Sequence, residues 1–145
     1  MTLENLLGIS LEKVVADRQL IDRLLAAAAR NILDAEIDSL SNENRFDVAY
    51  KAIMQLANAA LQAQGYRTLT SKPGHHQVMI QSLPRTCGLE QSRMIVMDAM
   101  RKQRNISDYA GDLVTESLVR ECIGQAKELK RLVEEKLKDN TRETE

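Results

Sequence analysis

Apolar residues recur at three- and four-residue intervals along most of this chain, and this spacing constrains the fold more than any other feature. Such spacing places apolar side chains on one face of an α-helix, whereas no stretch alternates over a useful length as a β-strand would. The sequence therefore predicts an all-α protein. The clearest stripe consists of Val48, Ala49, Ala52, Ile53, Leu56, Ala60 and Ala63.

Further helices are predicted on both sides of this stripe. Ser10 is the expected N-cap of a long first helix, with a possible break near Asp17. Four to five helices joined by short loops form an up-and-down bundle. The predicted segments are the stripe from Val14 toward Leu40, the stripe from Val48 to Ala63, about ten residues from His75, and residues 89–106 and 115–137.

The loops and the tail are predicted from glycine, proline and charge. Residues 66–74 are predicted to form a loop, and residues 84–88 are predicted to interrupt the third helix. Gly111 and its polar flanks predict a bend just after Arg104, which would bring Tyr109 closer to that arginine. Residues 1–138 are expected to form one domain, followed by a disordered charged tail over 139–145.

Composition excludes several classes of protein. The net charge of −1 gives no overall attraction to nucleic acid, so any such binding must be local. The N-terminal segment has an acidic residue where a signal peptide would carry basic ones, and no apolar run approaches the ~20 residues that span a bilayer, so a cytoplasmic protein that does not bind membranes is expected. Cys87 and Cys122 are too far apart in sequence to suggest metal ligation and are expected in the core. Motifs for metal or cofactor chemistry are missing, so neither is predicted.

The segment from Asp98 to Tyr109 combines cations, a carboxamide and a phenol at helical spacing, which is chemistry suited to a phosphate or nucleotide. Arg104 is the leading candidate because its planar guanidinium can bind a phosphate bidentately. The alternative is an ordinary charged surface, on which Asp98 and Arg101 form an i,i+3 ion pair. The candidate residues of this segment are Asp98, Arg101, Lys102, Arg104, Asn105 and Tyr109.

His75 and His76 are the only histidines, and they stand at the predicted start of the third helix. One of them is expected to face Arg104 and to donate or accept a proton there. Adjacent helical positions diverge by 100°, so the pair is not expected to chelate one metal ion. The alternative is a partly buried histidine satisfied by a hydrogen bond beside an exposed one. Tyr66 is a further candidate for stacking, although packing against a helix end is the commoner role.

The pattern Arg104-Asn105 followed by Tyr109, preceded by Gly65-Tyr66-Arg67 and by residues 72–76, resembles the HEPN superfamily of small helical domains. The resemblance is greatest to members that accompany minimal nucleotidyltransferases, and it runs from about residue 17 to 137. It implies a helical bundle in which an Arg and a His of two subunits form a metal-independent ribonuclease site. Here Tyr109 stands where the motif has its His.

This departure makes binding the leading expectation. The chain is predicted to be an RNA- or nucleotide-binding homodimer of a toxin–antitoxin or nucleotidyltransferase-associated system, with weak or no catalysis. One alternative is a metal-independent ribonuclease that uses Arg104 with His75 or His76. The other is a structural partner that holds the substrate of a nucleotidyltransferase. A basic cleft at Arg104 would favour the first two, and a large exposed apolar patch elsewhere would favour the third.

Overall fold

The computed structural model describes residues 2–71, 73–111 and 114–144, with side chains described except at 108–110 and 141–144. The described part contains five α-helices, one short 3-10 helix and one two-stranded sheet, so the predicted all-α bundle is confirmed. Lys72, which belongs to the sequence resemblance, lies outside the described residues, as does the side chain of Tyr109. The elements are the 3-10 helix Leu3–Leu6, β1 Leu11–Lys13, α1 Arg18–Ala35, α2 Asn42–Ala63, β2 Tyr66–Thr68, α3 His75–Thr86, α4 Gln91–Ala110 and α5 Glu116–Thr144.

Helix α2 is the centre of the bundle, and α1, α3 and α5 pack against it. Its alanines explain this position, because small side chains let several helices approach one axis closely. Ala52, Ala57 and Ala59 are all fully buried, and Ile53 and Leu56 fill the space between the helices. The close packing that the alanine-rich stripe predicts is therefore present.

Side chains at the start of α2 also hold Val114, which precedes α5. The Ser41 hydroxyl caps α2 by accepting a hydrogen bond from the Asn44 N–H at 3.1 Å. The Asn42 side chain donates to the Val114 carbonyl at 3.2 Å, and the Val114 N–H donates to Glu43 Oε1 at 3.4 Å. The segment that leads into α5 is thereby linked to the central helix.

Helix α1 begins later than the sequence predicts. Its N-cap is Asp17, whose carboxylate accepts hydrogen bonds from the N–H groups of Gln19 and Leu20 at 3.0 and 3.3 Å. The expectation of an N-cap at Ser10 was wrong, because the chain after Ser10 is extended and forms β1.

This difference can be tested by removing each side chain. Asp17→Ala is expected to lower the free energy of unfolding by about 0.5–2 kcal/mol, since two helix N–H groups lose their acceptor. Ser10→Ala should be nearly neutral, because the Ser10 hydroxyl is buried with no hydrogen-bond partner among the described residues. Urea unfolding measures both. A larger loss for Ser10→Ala than for Asp17→Ala would contradict the capping role.

The short sheet is a second difference from the predicted all-helical chain. β1 and β2 pair antiparallel over three residues each, which is too short for a recognisable alternation in the sequence. Residues 66–68, predicted as loop, thus form a strand, and Tyr66 packs against the core from it. The Cα partners are Leu11 with Thr68, Glu12 with Arg67, and Lys13 with Tyr66.

Three helix ends also differ from the predictions. α3 continues past Pro84 to Thr86: the proline removes one backbone hydrogen bond, and the Cys87 N–H still reaches the Leu83 carbonyl at 3.1 Å. α5 continues to Thr144, whereas the sequence predicts its end near Leu137 and a disordered tail from 139. No glycine or proline follows Gly124, so nothing in the backbone chemistry ends the helix.

The bend predicted just after Arg104 is the third of these errors. α4 remains helical to Ala110 and ends at Gly111, which has a left-handed φ of 68° and donates its N–H to the Ser107 carbonyl at 3.1 Å. The glycine therefore caps the helix and does not fold it back toward Arg104.

Both cysteines lie in the core as free thiols, as predicted. Burial raises the pKa of Cys122 to about 12 and also raises that of Cys87. Neither thiol therefore forms the reactive thiolate readily near neutral pH. Within the described ranges, no helix combines the length and the apolar character that crossing a membrane requires.

Candidate functional site

An open cleft of about 550 Å³ lies along α2, where α1, α3 and α4 contribute its remaining walls. Its position follows from the bundle, since three helices packed around a central one leave a groove between their polar edges. Apolar side chains from α1, α2 and α3 form much of its surface. Its polar lining residues are Asp47, Tyr50, Lys51, Gln55, Asn58, His76 and Arg104.

Arg104 reaches this cleft from α4 and is held against α2. Its Nε donates to Asp47 Oδ1 at 3.2 Å, and its guanidinium carbon lies 5.3 Å from the centre of the Tyr50 ring. The ring face and the carboxylate both attract the cation. The arginine side chain is one-third exposed, so a dissolved anion can approach a guanidinium whose direction is already set.

Tyr50 connects Arg104 to His76. It is almost completely buried, and its hydroxyl lies 3.4 Å from His76 Nδ1. Burial raises the pKa of the Tyr50 phenol to about 12, with Arg104 opposing the rise, so the phenol keeps its proton near neutral pH. A protonated phenol can donate to Nδ1 or accept from it, so both neutral tautomers of His76 fit this contact.

Burial also lowers the pKa of His76, and the charges of His75, Arg104 and Arg101 lower it further. His76 is therefore neutral at pH 7. Of the two histidines, His76 belongs to the described lining of the cleft. The His75 ring contacts the His76 ring edge-on, with the ring centroids 4.7 Å apart. The structure thus brings together Arg104 and His76, which are separate in sequence.

The lowered pKa of His76 predicts a pH dependence of stability. The unfolded chain, in which histidine titrates near pH 6.5, binds more protons than the native state, so stability falls as the pH drops below about 6.5 toward the lower native pKa. His76→Gln should remove part of this loss. Urea unfolding between pH 7.5 and 5.5 measures it. Equal losses in the variant and the wild type would show that His76 is not responsible.

The other charged candidates on α4 lie beside the cleft and not in its described lining. Arg101 Nε donates to Asp98 Oδ1 at 2.9 Å, which confirms the predicted i,i+3 ion pair, and both side chains are about five-sixths buried. Lys102 Nζ lies 3.7 Å from the other oxygen of Asp98 and is exposed. Asn105 is exposed outside the described lining. The face of α4 that was expected to bind a phosphate therefore carries a structural ion pair. Arg104, at the edge of this face, reaches the cleft.

Sequence reasoning missed the contribution of α2. Asp47, Tyr50 and Lys51 line the cleft, followed one turn later by Met54 and Gln55 and then by Asn58. A signal was present, because these residues recur at three- and four-residue intervals and form a second stripe beside the alanine-rich one. Only the apolar stripe of this helix entered the prediction.

The described part of the chain contains no group of three or more His, Cys, Asp or Glu side chains placed to hold a metal ion. The groups that can donate to a ligand here include the Arg104 guanidinium, which is paired with Asp47, and the neutral His76 imidazole. Such groups donate hydrogen bonds to anionic oxygen atoms. The arrangement is therefore suited to a phosphate or a carboxylate.

The chain was also compared with known proteins. It matches no protein-family model, and no curated protein is similar enough to be called its relative.

Proposed function

We propose that this chain is a HEPN-like helical module that binds RNA or a nucleotide in the Arg104 cleft, with weak or no catalysis. The observation that carries the proposal is the meeting of Arg104 and His76 across Tyr50 in an open cleft. The exposed Lys51 adds a second cation at the same end. The sequence resemblance of the Arg104-Asn105 segment supports the same ligand class.

The form of His76 favours binding over cleavage. We propose that Nδ1 accepts from the Tyr50 hydroxyl, so that Nε2 carries the proton and can donate to a phosphate oxygen. A general base needs a lone pair facing the hydroxyl that it deprotonates, and this tautomer does not offer one at Nε2. The described groups thus stabilise a bound anion more readily than they activate a nucleophile.

Asp47 sets the strength of the interaction. Its carboxylate accepts a hydrogen bond from the Arg104 guanidinium, so a phosphate that enters the cleft competes with Asp47 for this group. Binding is then expected to be moderate in affinity and to weaken as salt rises, because phosphate neutralisation releases counterions.

Incubation with a mixed RNA pool in the presence of a chelator tests the proposal. The expected result is an intact pool of which a fraction is retained by the protein at low salt. Absence of retention at low salt, with the protein folded, would overturn binding.

A metal-independent ribonuclease is the second candidate, favoured by the neutral, partly buried His76 beside Arg104. Cleavage that survives chelation, and that is lost in both His76→Ala and Arg104→Ala, would establish it. Cleavage that persists in both variants would indicate a contaminating nuclease.

The proposal includes a cytoplasmic homodimer. On α4, Ile95 and Ile106 are 59% and 47% exposed and lie three turns apart on nearly the same face. Burying this face against a second copy would pair the two α4 helices, and Arg104, about 160–180° away around α4, would face away from that interface. Sedimentation at micromolar concentration should give a dimer mass for the wild type and a monomer mass for Ile95→Glu. A monomeric wild type would contradict the homodimer.

A nucleotidyltransferase partner is the third hypothesis. Leu33, Ile37 and Leu40 are exposed apolar residues near the end of α1 and in the loop that follows it, and they offer a surface for another protein. Leu33→Glu is then expected to prevent co-purification with a minimal nucleotidyltransferase while RNA binding is retained. Unchanged co-purification would rule out this surface.

A further inference from the structure

His76 and Arg104 lie on opposite sides of the Tyr50 side chain in the cleft. The guanidinium carbon of Arg104 is 5.3 Å from the centre of the Tyr50 ring, and the centre of the His76 ring is 6.2 Å from it. Charges at this separation interact at physiological salt, where screening sets in over about 8 Å. A charge that binds at Arg104 therefore acts on His76.

The described surroundings of His76 are rich in positive charge. Arg104 and Arg101 act on it from α4, and His75 contacts it within α3. Asp98 and Asp47 each offset one of the two arginines. The charged and titratable groups around His76 are Asp47, Tyr50 and Lys51 of α2, His75 of α3, and Asp98, Arg101 and Arg104 of α4.

These surroundings keep the imidazole neutral. Burial is the largest cause of the lowered pKa of His76, and the charges of His75, Arg104 and Arg101 add to it. A phosphate at Arg104 supplies the opposite charge at the same place. It therefore favours the imidazolium, which is the form that the cations disfavour.

The contact with Tyr50 accommodates a protonated ring. The phenol keeps its own proton, because burial raises its pKa to about 12. Its oxygen can accept a hydrogen bond from a protonated Nδ1, just as its hydroxyl can donate to an unprotonated one. Whichever tautomer the neutral ring adopts, one ring nitrogen carries the lone pair that takes up a proton from the solvent.

We propose that RNA binding in the Arg104 cleft is coupled to the uptake of one proton by His76, so that the site binds RNA more tightly as the pH falls. The coupling is a form of regulation of this site and rests on the proposed function. Linkage is reciprocal, so a ligand that draws a proton onto His76 is held more tightly where protons are abundant.

A short oligouridylate with hydroxyl ends is the probe, because its phosphodiesters and uracil rings do not titrate between pH 5.5 and 7.5. Its affinity for the wild type is expected to be about 5- to 20-fold higher at pH 5.5 than at pH 7.5, below the ceiling of about 100-fold that one linked proton sets over two pH units. Calorimetry at pH 6, in two buffers with different heats of ionisation, should show that binding takes up protons. Circular dichroism checks that the protein is folded at each pH.

Two variants assign the proton to one histidine. His76→Gln keeps a hydrogen-bond donor but does not titrate, so its affinity should change by less than about twofold over the same pH range. His75→Gln is the matched control, because it makes the same substitution at the neighbouring residue, outside the described lining of the cleft. It should keep both the pH dependence and the proton uptake.

NMR provides a test that does not depend on the folding of a variant. The ring ¹⁵N signals of His76 in the labelled wild type report its protonation during a pH titration. With saturating oligouridylate, the midpoint of this titration is expected to move to higher pH. A midpoint that stays in place when RNA binds would overturn the coupling.

The outcomes separate the coupling from the proposed function. RNA binding with the same pH dependence in the wild type and in His76→Gln would overturn the coupling and leave the RNA-binding module intact. Proton uptake that is lost in His75→Gln and kept in His76→Gln would also overturn it. No binding of RNA at any of these pH values, with the protein folded, would overturn the proposed function itself.

Discussion

Arg104→Ala is expected to weaken binding of a short single-stranded RNA by about 10- to 150-fold, corresponding to the ~1.5–3 kcal/mol of a hydrogen bond to a charged group. The guanidinium is already directed by Asp47 and by the Tyr50 ring, so little ordering is needed when phosphate binds. Fluorescence anisotropy at constant low salt measures the change.

Two further variants make this experiment specific. Arg104→Lys keeps the charge but loses the planar fork, so it should restore only part of the affinity. Arg120→Ala removes an exposed arginine paired with Glu116 on α5 and should leave binding nearly unchanged. If Arg120→Ala weakened binding as much as Arg104→Ala, the protein would be responding to overall charge.

Leu56→Ala is expected to lower the free energy of unfolding by about 2–5 kcal/mol. Leu56 is fully buried on α2, the helix that α1, α3 and α5 pack against, so the vacated volume is enclosed on several sides. Urea unfolding followed by circular dichroism measures the loss.

Leu33→Ala is the matched control, because it makes the same substitution at a leucine of α1 that is 67% exposed. Its effect should stay within about 0.5 kcal/mol. Comparable losses at both positions would mean that α2 is not the centre of the core or that α1 is covered by another subunit.

The helices were predictable from sequence because their apolar residues follow the helical period over many turns. The stripe from Val48 to Ala63 falls within α2, and Asn42 begins that helix after the Ser41 cap. Where the signal was only a few residues long, prediction failed. The three-residue strands are too short to show an alternation of apolar and polar residues. Ser10 and Asp17 are both suitable N-cap residues, and the sequence did not show that α1 begins after Asp17.

The candidate site was only half predictable for a different reason. Arg104 and His76 have distinctive chemistry and were singled out, but their proximity depends on how α3 and α4 pack around α2. Tyr50 and Asp47, which hold the guanidinium, lie on a helix that was interpreted only through its apolar face. Periodicity indicates which face of a helix is buried and not which polar residues of other helices lie beside it.

The proposed function depends on phosphate binding at Arg104 in the cleft beside Tyr50 and His76. NMR of arginine side chains in ¹⁵N-labelled protein, titrated with a short RNA in the presence of a chelator, observes this contact directly. The Arg104 Nε–H signal, assigned by its loss in Arg104→Lys, is expected to shift progressively as Asp47 is displaced, while the signal of Arg120 stays in place. RNA binding that shifts other arginine signals and leaves the Arg104 signal unmoved would show that the phosphate binds elsewhere.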